Sequence, residues 1–201
     1  MISAIILAAG ESKRMGSKNK LLLPFKGESM IRRFVKSVCL SEVENVLVVL
    51  GYQSDKIKEV LIDQPVDFVY NPFYMSGMIT SIKAGISASS ANSRGYMICL
   101  SDMPFVRTVD LNVILREFLF LKANETGFVT VPIYRGQRGN PVIFSSEFKE
   151  EILSYKGDGC RGIIDKNPTK VREVFIENKN IFYDIDTPED YEEFTKKKIF
   201  N

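Results

Sequence analysis

Short apolar runs alternate along this chain with longer stretches in which apolar residues recur at helical spacing. Ile2 to Leu7 is a continuous β-type run, the pattern of a strand buried on both faces. A polar, glycine-containing loop follows to about Lys20. Met30 to Leu40 has Met30, Ile31, Phe34, Val35 and Val38 on one side of a helix. Val46 to Leu50 is a second buried strand, ended by Gly51. Ser54 to Ile62 is helical, with Ile57, Val60 and Leu61 inward and Ser54 placed to cap it. Val66 to Tyr70 is a third strand, stopped by Asn71-Pro72, and a helix runs from Ser76 or Gly77 to about Ser89. Tyr96 to Leu100 is a fourth strand, cut off by Ser101-Asp102-Met103-Pro104. Asp110 to Lys122 is helical and Phe128 to Pro132 is a fifth strand.

Strand, helix and strand in succession predict an α/β fold: a mostly parallel sheet with helices on both faces, in three Rossmann-like layers. After Pro132 the pattern changes. Ile133 to Gly139 reads as a basic turn and Pro141 to Phe144 as a short strand. Ser146 to Tyr155 follows as a helix, then a turn at Gly157-Asp158-Gly159 and short strands at Val171 to Phe175 and Phe182 to Ile185. Pro188 to Lys198 closes the chain as a helix, with Thr187 as N-cap and Pro188 as first residue. No repeat, low-complexity stretch or linker interrupts the 201 residues, so residues 1–201 are expected to form a single domain.

Composition removes several functions. The 45% apolar and 26% charged content is that of an ordinary globular chain, and the net charge of +2 does not suggest a nucleic-acid surface. There is no histidine, which excludes a Ser-His-Asp triad, a Cys-His pair and a His-ligated metal. Cys39, Cys99 and Cys160 have no metal-ligand spacing; they read as buried hydrophobes and suit a reducing cytoplasm. No apolar stretch approaches the ~20 residues that span a bilayer, and the first apolar run lacks the cationic lead of a signal peptide. No membrane partner is expected. Basic residues are dense at Lys13 to Lys26 and at Lys196 to Lys198; the second cluster reads as the solvated end of a helix.

In open α/β sheets ligands sit at the carboxyl ends of strands, so the loop after the first strand is the first candidate site. It holds Ala8, Ala9, Gly10, Ser12 and Gly16 with Lys13, Arg14, Lys18 and Lys20. Small residues let backbone N–H groups approach an anion, and cations neutralise it. Five residues separate Gly10 from Gly16, and Ser17-Lys18 follows, so this is not a Walker A loop. The dinucleotide fingerprint is absent too. On charge and glycine alone, an anion site and a solvated loop read equally well.

The run Leu7-Ala8-Ala9-Gly10-Glu11-Ser12-Lys13-Arg14-Met15-Gly16, then Lys20-Leu21-Leu22-Leu23-Pro24, resembles the signature of the MobA-like nucleotidyltransferases. The resemblance covers nearly the whole chain. Ser76-Gly77-Met78 with Ser81-Ile82 resembles the segment beside base and sugar, and Leu100-Ser101-Asp102-Met103-Pro104 resembles the metal-binding turn. Arg138-Gly139-Asn140-Pro141 and Gly157-Asp158-Gly159-Cys160-Arg161 resemble the acceptor-side segments, and Asp184 to Asp190 the C-terminal motif.

The resemblance implies a fold of the nucleotide-diphospho-sugar transferase type. It divides the chain into a nucleotide-binding part, residues 1–132, and an acceptor-side elaboration, residues 133–201. It implies Mg²⁺-dependent transfer from a nucleoside triphosphate to a molybdopterin-type acceptor. Ala8-Ala9-Gly10 is similar to the cytidylyltransferases of the family and so implies CTP. Asn140 stands where the family usually has His, and the turn from Gly157 to Arg161 is one residue short; both leave the acceptor open.

Residue by residue, Arg14 and Lys20 are the candidates for the triphosphate, with Lys20 near the α-phosphate. Leu7, Ala8, Ala9, Gly10, Ser12, Ser76, Gly77 and Ser101 are candidate nucleotide contacts. Ser81 reads equally as a base or ribose contact and as a plain helix residue. Asp102, at the carboxyl end of a strand, is a candidate Mg²⁺ ligand or else a turn-forming Asp. Asp186 is the second metal candidate; it alternates with Asp184 along the expected strand, so both would share a face. Arg138, Asn140, Asp158 and Arg161 are the acceptor candidates, the two arginines reading otherwise as surface groups. Tyr70, Phe73 and Tyr74 read as site walls or, more commonly for aromatics, as packing. The competing functions are transfer to a sugar phosphate, a methylerythritol phosphate or choline phosphate, and a non-catalytic chaperone holding cofactor for a molybdenum hydroxylase.

Overall fold

The structure, a computed structural model, describes residues 1–16 and 18–196. Lys197 and Lys198 of the basic C-terminal cluster lie outside the described residues. In chain order the elements are β1 (Ile2–Ala8), the hairpin β2 (Pro24–Phe25) and β3 (Glu28–Ser29), α1 (Met30–Cys39), β4 (Asn45–Leu50), α2 (Ser54–Val60) and β5 (Asp67–Tyr70). Then come α3 (Met78–Ala88), β6 (Gly95–Leu100), α4 (Thr108–Lys122), β7 (Val129–Tyr134), β8 (Gln137–Arg138) and β9 (Val142–Ser145). The chain continues through α5 (Lys149–Ser154), α6 (Arg161–Lys166), β10 (Val171–Phe175) and α7 (Pro188–Lys196).

The main sheet has the order β5-β4-β1-β6-β9-β7-β10, with β8 added to β7. Strands β5, β4, β1 and β6 are parallel neighbours, as are β7 and β10; β9 alone runs antiparallel to both its neighbours in the body of the sheet. Alternation along β1 sorts the layers. Ile2, Ala4, Ile6 and Ala8 face the core formed with α1, α2 and α4, whereas Ile5 faces α3, α5 and α6. This is the expected three-layer Rossmann-like arrangement.

The topology fixes where a ligand can enter. From β1 the chain builds outward to β4 and β5, then returns to place β6 on the other flank of β1. The crevice therefore opens at the carboxyl ends of β1 and β6, where Leu7 is level with Leu100. Helix α3 is drawn close to this edge through Gly85: a Cβ there would lie 2.3 Å from Ile5 Cγ2. Any larger residue would push α3 off the sheet.

Several local expectations are corrected. Helix α4 starts at Thr108, two residues before Asp110, because Asp110 Oδ2 accepts the backbone N–H of Arg107 at 3.0 Å and so closes the first turn. Gln53, in left-handed conformation at φ 51°, is the N-cap of α2, and Ser54 is its first residue without a capping bond. The segment 133–139 is a hairpin, not a simple turn: Arg135 and Gly136 both have positive φ, the geometry of a tight two-residue connection. The expected helix at 146–155 is a 3₁₀ turn (Ser146–Phe148) running into α5. Helix α6 and the β2–β3 hairpin were not foreseen; both are too short for periodicity to register.

The expected strand at Phe182 to Ile185 is absent. Lys179–Phe182 is a 3₁₀ turn, and the following residues pair with no strand. Ile181 and Ile185 are buried and pin this segment, while the Ile185 N–H donates to the Asp102 carbonyl at 3.0 Å. Apolar alternation here records two anchors in an irregular segment. Thr187 does cap α7: its Oγ1 accepts the Asp190 N–H at 3.2 Å and Asp190 Oδ2 accepts the Thr187 N–H at 2.9 Å, a reciprocal cap.

Candidate functional site

A cleft of ≈ 470 Å³ lies at the carboxyl ends of β1 and β6. Its floor is the first loop. The Ala9 carbonyl accepts the Tyr52 N–H at 3.1 Å, which ties the loop to the end of β4. A Cβ on Gly10 would meet nothing within 4 Å, so glycine leaves this backbone open towards the cleft. Ser12 adopts a left-handed conformation (φ 54°, ψ 38°) that few non-glycine residues take. It turns the chain into the 3₁₀ segment Lys13–Met15, which buried Met15 anchors. Ser12 Oγ then accepts the Lys20 N–H at 3.2 Å, joining the two ends of the loop. Below it, Leu21 is buried and its N–H donates to Asn19 Oδ1 at 3.1 Å. Lys20 is thereby held at the start of a 3₁₀ turn with its side chain directed into the cleft.

There Lys20 meets two carboxylates from distant parts of the chain. Its Nζ lies 2.5 Å from Asp102 Oδ2 and 2.6 Å from Asp186 Oδ1. Arg14 Nη2 lies 2.9 Å from Asp186 Oδ2. Burial alone would lower the Lys20 pKa; the charges and hydrogen bonds of Asp102 and Asp186 overcome it and raise the value, so Lys20 stays an ammonium. Asp102 Oδ1 is buried and has no hydrogen-bond partner. Asp184 also lines the cleft, and partial burial followed by the charges of Asp102 and Asp186 raises its pKa from the usual carboxylate value.

The donor set fits a divalent ion in one particular way. Among the described residues no group of three or more His, Cys, Asp or Glu side chains is placed to hold a metal alone. Two carboxylates, one with an unsatisfied buried oxygen, match the habit of Mg²⁺, which takes one or two carboxylates and completes its shell with water and substrate phosphates. Asp102 and Asp186 are the residues that could hold it. The cysteines offer no nucleophile: burial pushes Cys160 up to about 12 and Cys99 higher still.

The structure brings together many of the sequence candidates. Leu7, Ala9, Gly10, Ser12, Arg14, Lys20, Gly77, Ser81, Ser101, Asp102 and Asp186 line the cleft. Some hydroxyls have structural partners. Ser101 Oγ donates to the Leu7 carbonyl at 2.5 Å, tying β6 to β1, and Ser81 is buried with its Oγ taking the Asn71 amide at 3.0 Å. Ala8 is buried in the sheet, and Ser76 is exposed outside the cleft. Lys13 pairs with Glu11 at 3.0 Å and Lys18 is exposed.

The acceptor candidates do not line the cleft. Arg138 and Arg161 are exposed and share Asp165, at 3.4 and 3.8 Å. The Asn140 N–H donates to the Ile181 carbonyl at 3.1 Å. Asp158 sits at the rim, where its Oδ1 accepts the Met78 N–H at 3.1 Å and so caps α3 from 80 residues away. Gly77 at φ +101° makes that approach possible: a Cβ there would be strained and 3.3 Å from the same oxygen. Packing is the wrong reading for Tyr70 and Phe73, which are exposed. Tyr74 does line the cleft, lying over Gly51, where a Cβ would come within 2.6 Å of its ring. Glu11, Met75 and Met78 also line the cleft, and no sequence signal singles them out as site residues. The arrangement can receive a polyanion on open backbone and two cations, with a divalent ion on the two aspartates.

The family model described as "MobA-like NTP transferase domain" matches residues 4–171. The molybdenum cofactor cytidylyltransferase of Escherichia coli is 29% identical over 200 residues, covering 94% of this chain and 93% of that protein. A probable molybdenum cofactor guanylyltransferase of Methanosarcina mazei is 27% identical over 205 residues, covering 94% and 88%. A Mycobacterium tuberculosis protein solved in complex with manganese superimposes with a TM-score of 0.81 at 20% identity, over 98% of each chain, a likeness of fold.

Proposed function

This chain belongs to the MobA-like NTP transferase domain family and is a nucleotidyltransferase, and from that premise we propose that it transfers CMP from CTP to a molybdopterin-type acceptor with Mg²⁺ and release of pyrophosphate. The observation that carries the chemistry is Lys20 Nζ held between Asp102 and Asp186 beside the open backbone of Gly10. The reading of CTP rests on Ala8-Ala9-Gly10 and on the cytidylyltransferase relative, against the guanylyltransferase one.

In this reading an oxygen of the acceptor phosphate attacks the α-phosphorus in line. A new P–O bond forms as the bond to pyrophosphate breaks. The acceptor phosphate is already ionised at neutral pH, so the reaction requires no strong base, which suits a chain without histidine. Lys20 and Arg14 leave their carboxylate partners for phosphate oxygens and neutralise charge there, while the Gly10 backbone and the end of α3 orient the nucleotide. Asp102 and Asp186 are the residues that would hold Mg²⁺, which would supply charge neutralisation on the phosphates. Arg138, Asn140, Asp158 and Arg161 serve the acceptor. The setting is cytoplasmic, with a molybdenum hydroxylase as the further partner; among the described residues no helix is long and apolar enough to cross a membrane.

Thermal shifts with CTP, GTP, ATP and UTP, each with Mg²⁺, test the nucleotide assignment. A ligand at a hundredfold excess over its dissociation constant stabilises the native state by about 2.7 kcal/mol. CTP should give the largest shift. A larger shift with GTP would reassign the nucleotide, and no shift with any of the four would remove the function.

A further inference from the structure

The cleft already contains a cation where a metal ion would bind. Lys20 Nζ bridges Asp102 Oδ2 and Asp186 Oδ1 at 2.5 and 2.6 Å, and the Arg14 guanidinium takes the other oxygen of Asp186 at 2.9 Å. Of the four carboxylate oxygens, only Asp102 Oδ1 is without a partner. Formally the four groups sum to zero charge. A free divalent ion approaching them would meet two cations in contact with its ligands, and it would gain its carboxylates only by displacing Lys20.

We propose that Lys20, assisted by Arg14, acts as an internal stand-in for the metal, so that the nucleotide-free protein rejects free divalent cations and admits one only together with the triphosphate. This rests on the reading of the cleft as a metal-dependent nucleotide site. A triphosphate gives Lys20 and Arg14 new anionic partners. Their departure frees Asp102 and Asp186 while bringing the phosphate oxygens that complete the ion's shell. The negative charge that arrives with the nucleotide offsets the positive charge of the ion. Metal and nucleotide binding are then coupled, and each must strengthen the other by the same factor. Lys20 is well placed for the exchange. Its backbone is fixed by Ser12 and Leu21, whereas its long side chain can swing between carboxylate and phosphate at little cost.

The test is direct titration of Mn²⁺, followed by loss of the free-ion electron paramagnetic resonance signal, on the full chain with and without CTP and without acceptor. A competing internal pair lowers apparent affinity by the fraction of carboxylate pairs left free. Wild type should bind Mn²⁺ at least about tenfold more tightly with CTP than alone. Lys20→Met keeps the stem and removes the charge; it should bind Mn²⁺ alone about tenfold or more tightly than wild type does. Arg14→Gln, at a side chain 69% exposed where folding is not at stake, should show a smaller gain of the same sign. Absence of any gain in both variants overturns the inference. Pyrophosphate release by wild type from CTP and acceptor is measured in parallel: if turnover is present without those gains, the stand-in fails and the nucleotidyltransferase reading survives. If wild type takes up no Mn²⁺ even with CTP, both fall.

Discussion

Lys20 and Arg161 are both cations assigned to phosphate, and their surroundings are opposite. The Lys20 side chain is 13% exposed, held by two carboxylates from elements 82 and 166 residues away, and its charge is fixed by them. The Arg161 side chain is 93% exposed and pairs with Asp165, one helical turn on, at 3.8 Å. Much of the nucleotide side differs from much of the acceptor side in the same way, although Arg14 is exposed as Arg161 is. One is assembled before any ligand arrives, by a loop closed through Ser12, by strand ends tied from Ser101 to Leu7, and by the Ile185 N–H on the Asp102 carbonyl. The other presents exposed groups on a hairpin and a short helix. Pre-assembly is what charge stabilisation of a transition state needs, because the groups then reorganise little during reaction. Exposed arginines suit a loosely held partner or one that arrives with its own protein. The contrast teaches that the chemistry of this chain is more strongly determined than its acceptor.

The largest effects should come from breaking the assembled side. Asp102→Ala and Lys20→Ala should each lower turnover by about 10² to 10³-fold with the fold intact by circular dichroism. Turnover within a few-fold of wild type for either would erase the contrast. On the exposed side, Arg138→Ala and Arg161→Ala should raise the acceptor KM by about tenfold, as expected for loss of one charged hydrogen bond of ~1.5 kcal/mol, and leave the nucleotide KM alone. Their stability should stay within about 0.5 kcal/mol of wild type. If the nucleotide KM moves instead, these arginines serve the nucleotide and not the acceptor.

Asp158 lies on the boundary, since it caps α3 from the acceptor side. Asp158→Ala should cost roughly 0.5–1 kcal/mol in denaturant unfolding, the usual scale for an N-terminal cap. No loss would mean that the two sides are not joined there. The smallest effect concerns Asp184, whose carboxyl is raised by partial burial and by Asp102 and Asp186. A raised group is protonated more easily in the folded chain. Its stabilising contribution is full below the unfolded value of about 3.9 and is lost as pH rises through the higher folded value. Asp184→Asn should therefore overtake wild type in melting temperature across that window and remain ahead at neutral pH, by an amount limited by solvent screening. A variant that melts lower at neutral pH would show that the ionised form is favoured in the fold.

Much of the assembled side was legible in the sequence because its parts follow long, regular signals. The buried strands β1, β4 and β6 are unbroken apolar runs, and their carboxyl ends mark the cleft whatever the details of the loops. Lys20, Asp102 and Asp186 stand at such ends or in an ordered motif. What could not be read was tertiary: that Lys20 would meet both aspartates, that Ser101 and Ser81 would spend their hydroxyls on Leu7 and Asn71, and that Asp158 would cap a helix. Each depends on contacts between residues far apart in the chain. The Asp184 to Asp186 segment shows how a local rule misleads. Alternation suggested a strand face, but Ile181 and Ile185 are anchors of an irregular segment that still delivers Asp186 to Lys20.

The most direct test of the central claim follows the α-phosphate itself. CTP and GTP labelled at that position are each incubated with the purified chain, Mg²⁺ and molybdopterin, and label in the acceptor product is measured against pyrophosphate released. Transfer of one labelled CMP per pyrophosphate, with little or no transfer from GTP and none for Asp102→Ala, is the predicted result. Equal transfer from Asp102→Ala, or label passing from GTP and not from CTP, would contradict the account.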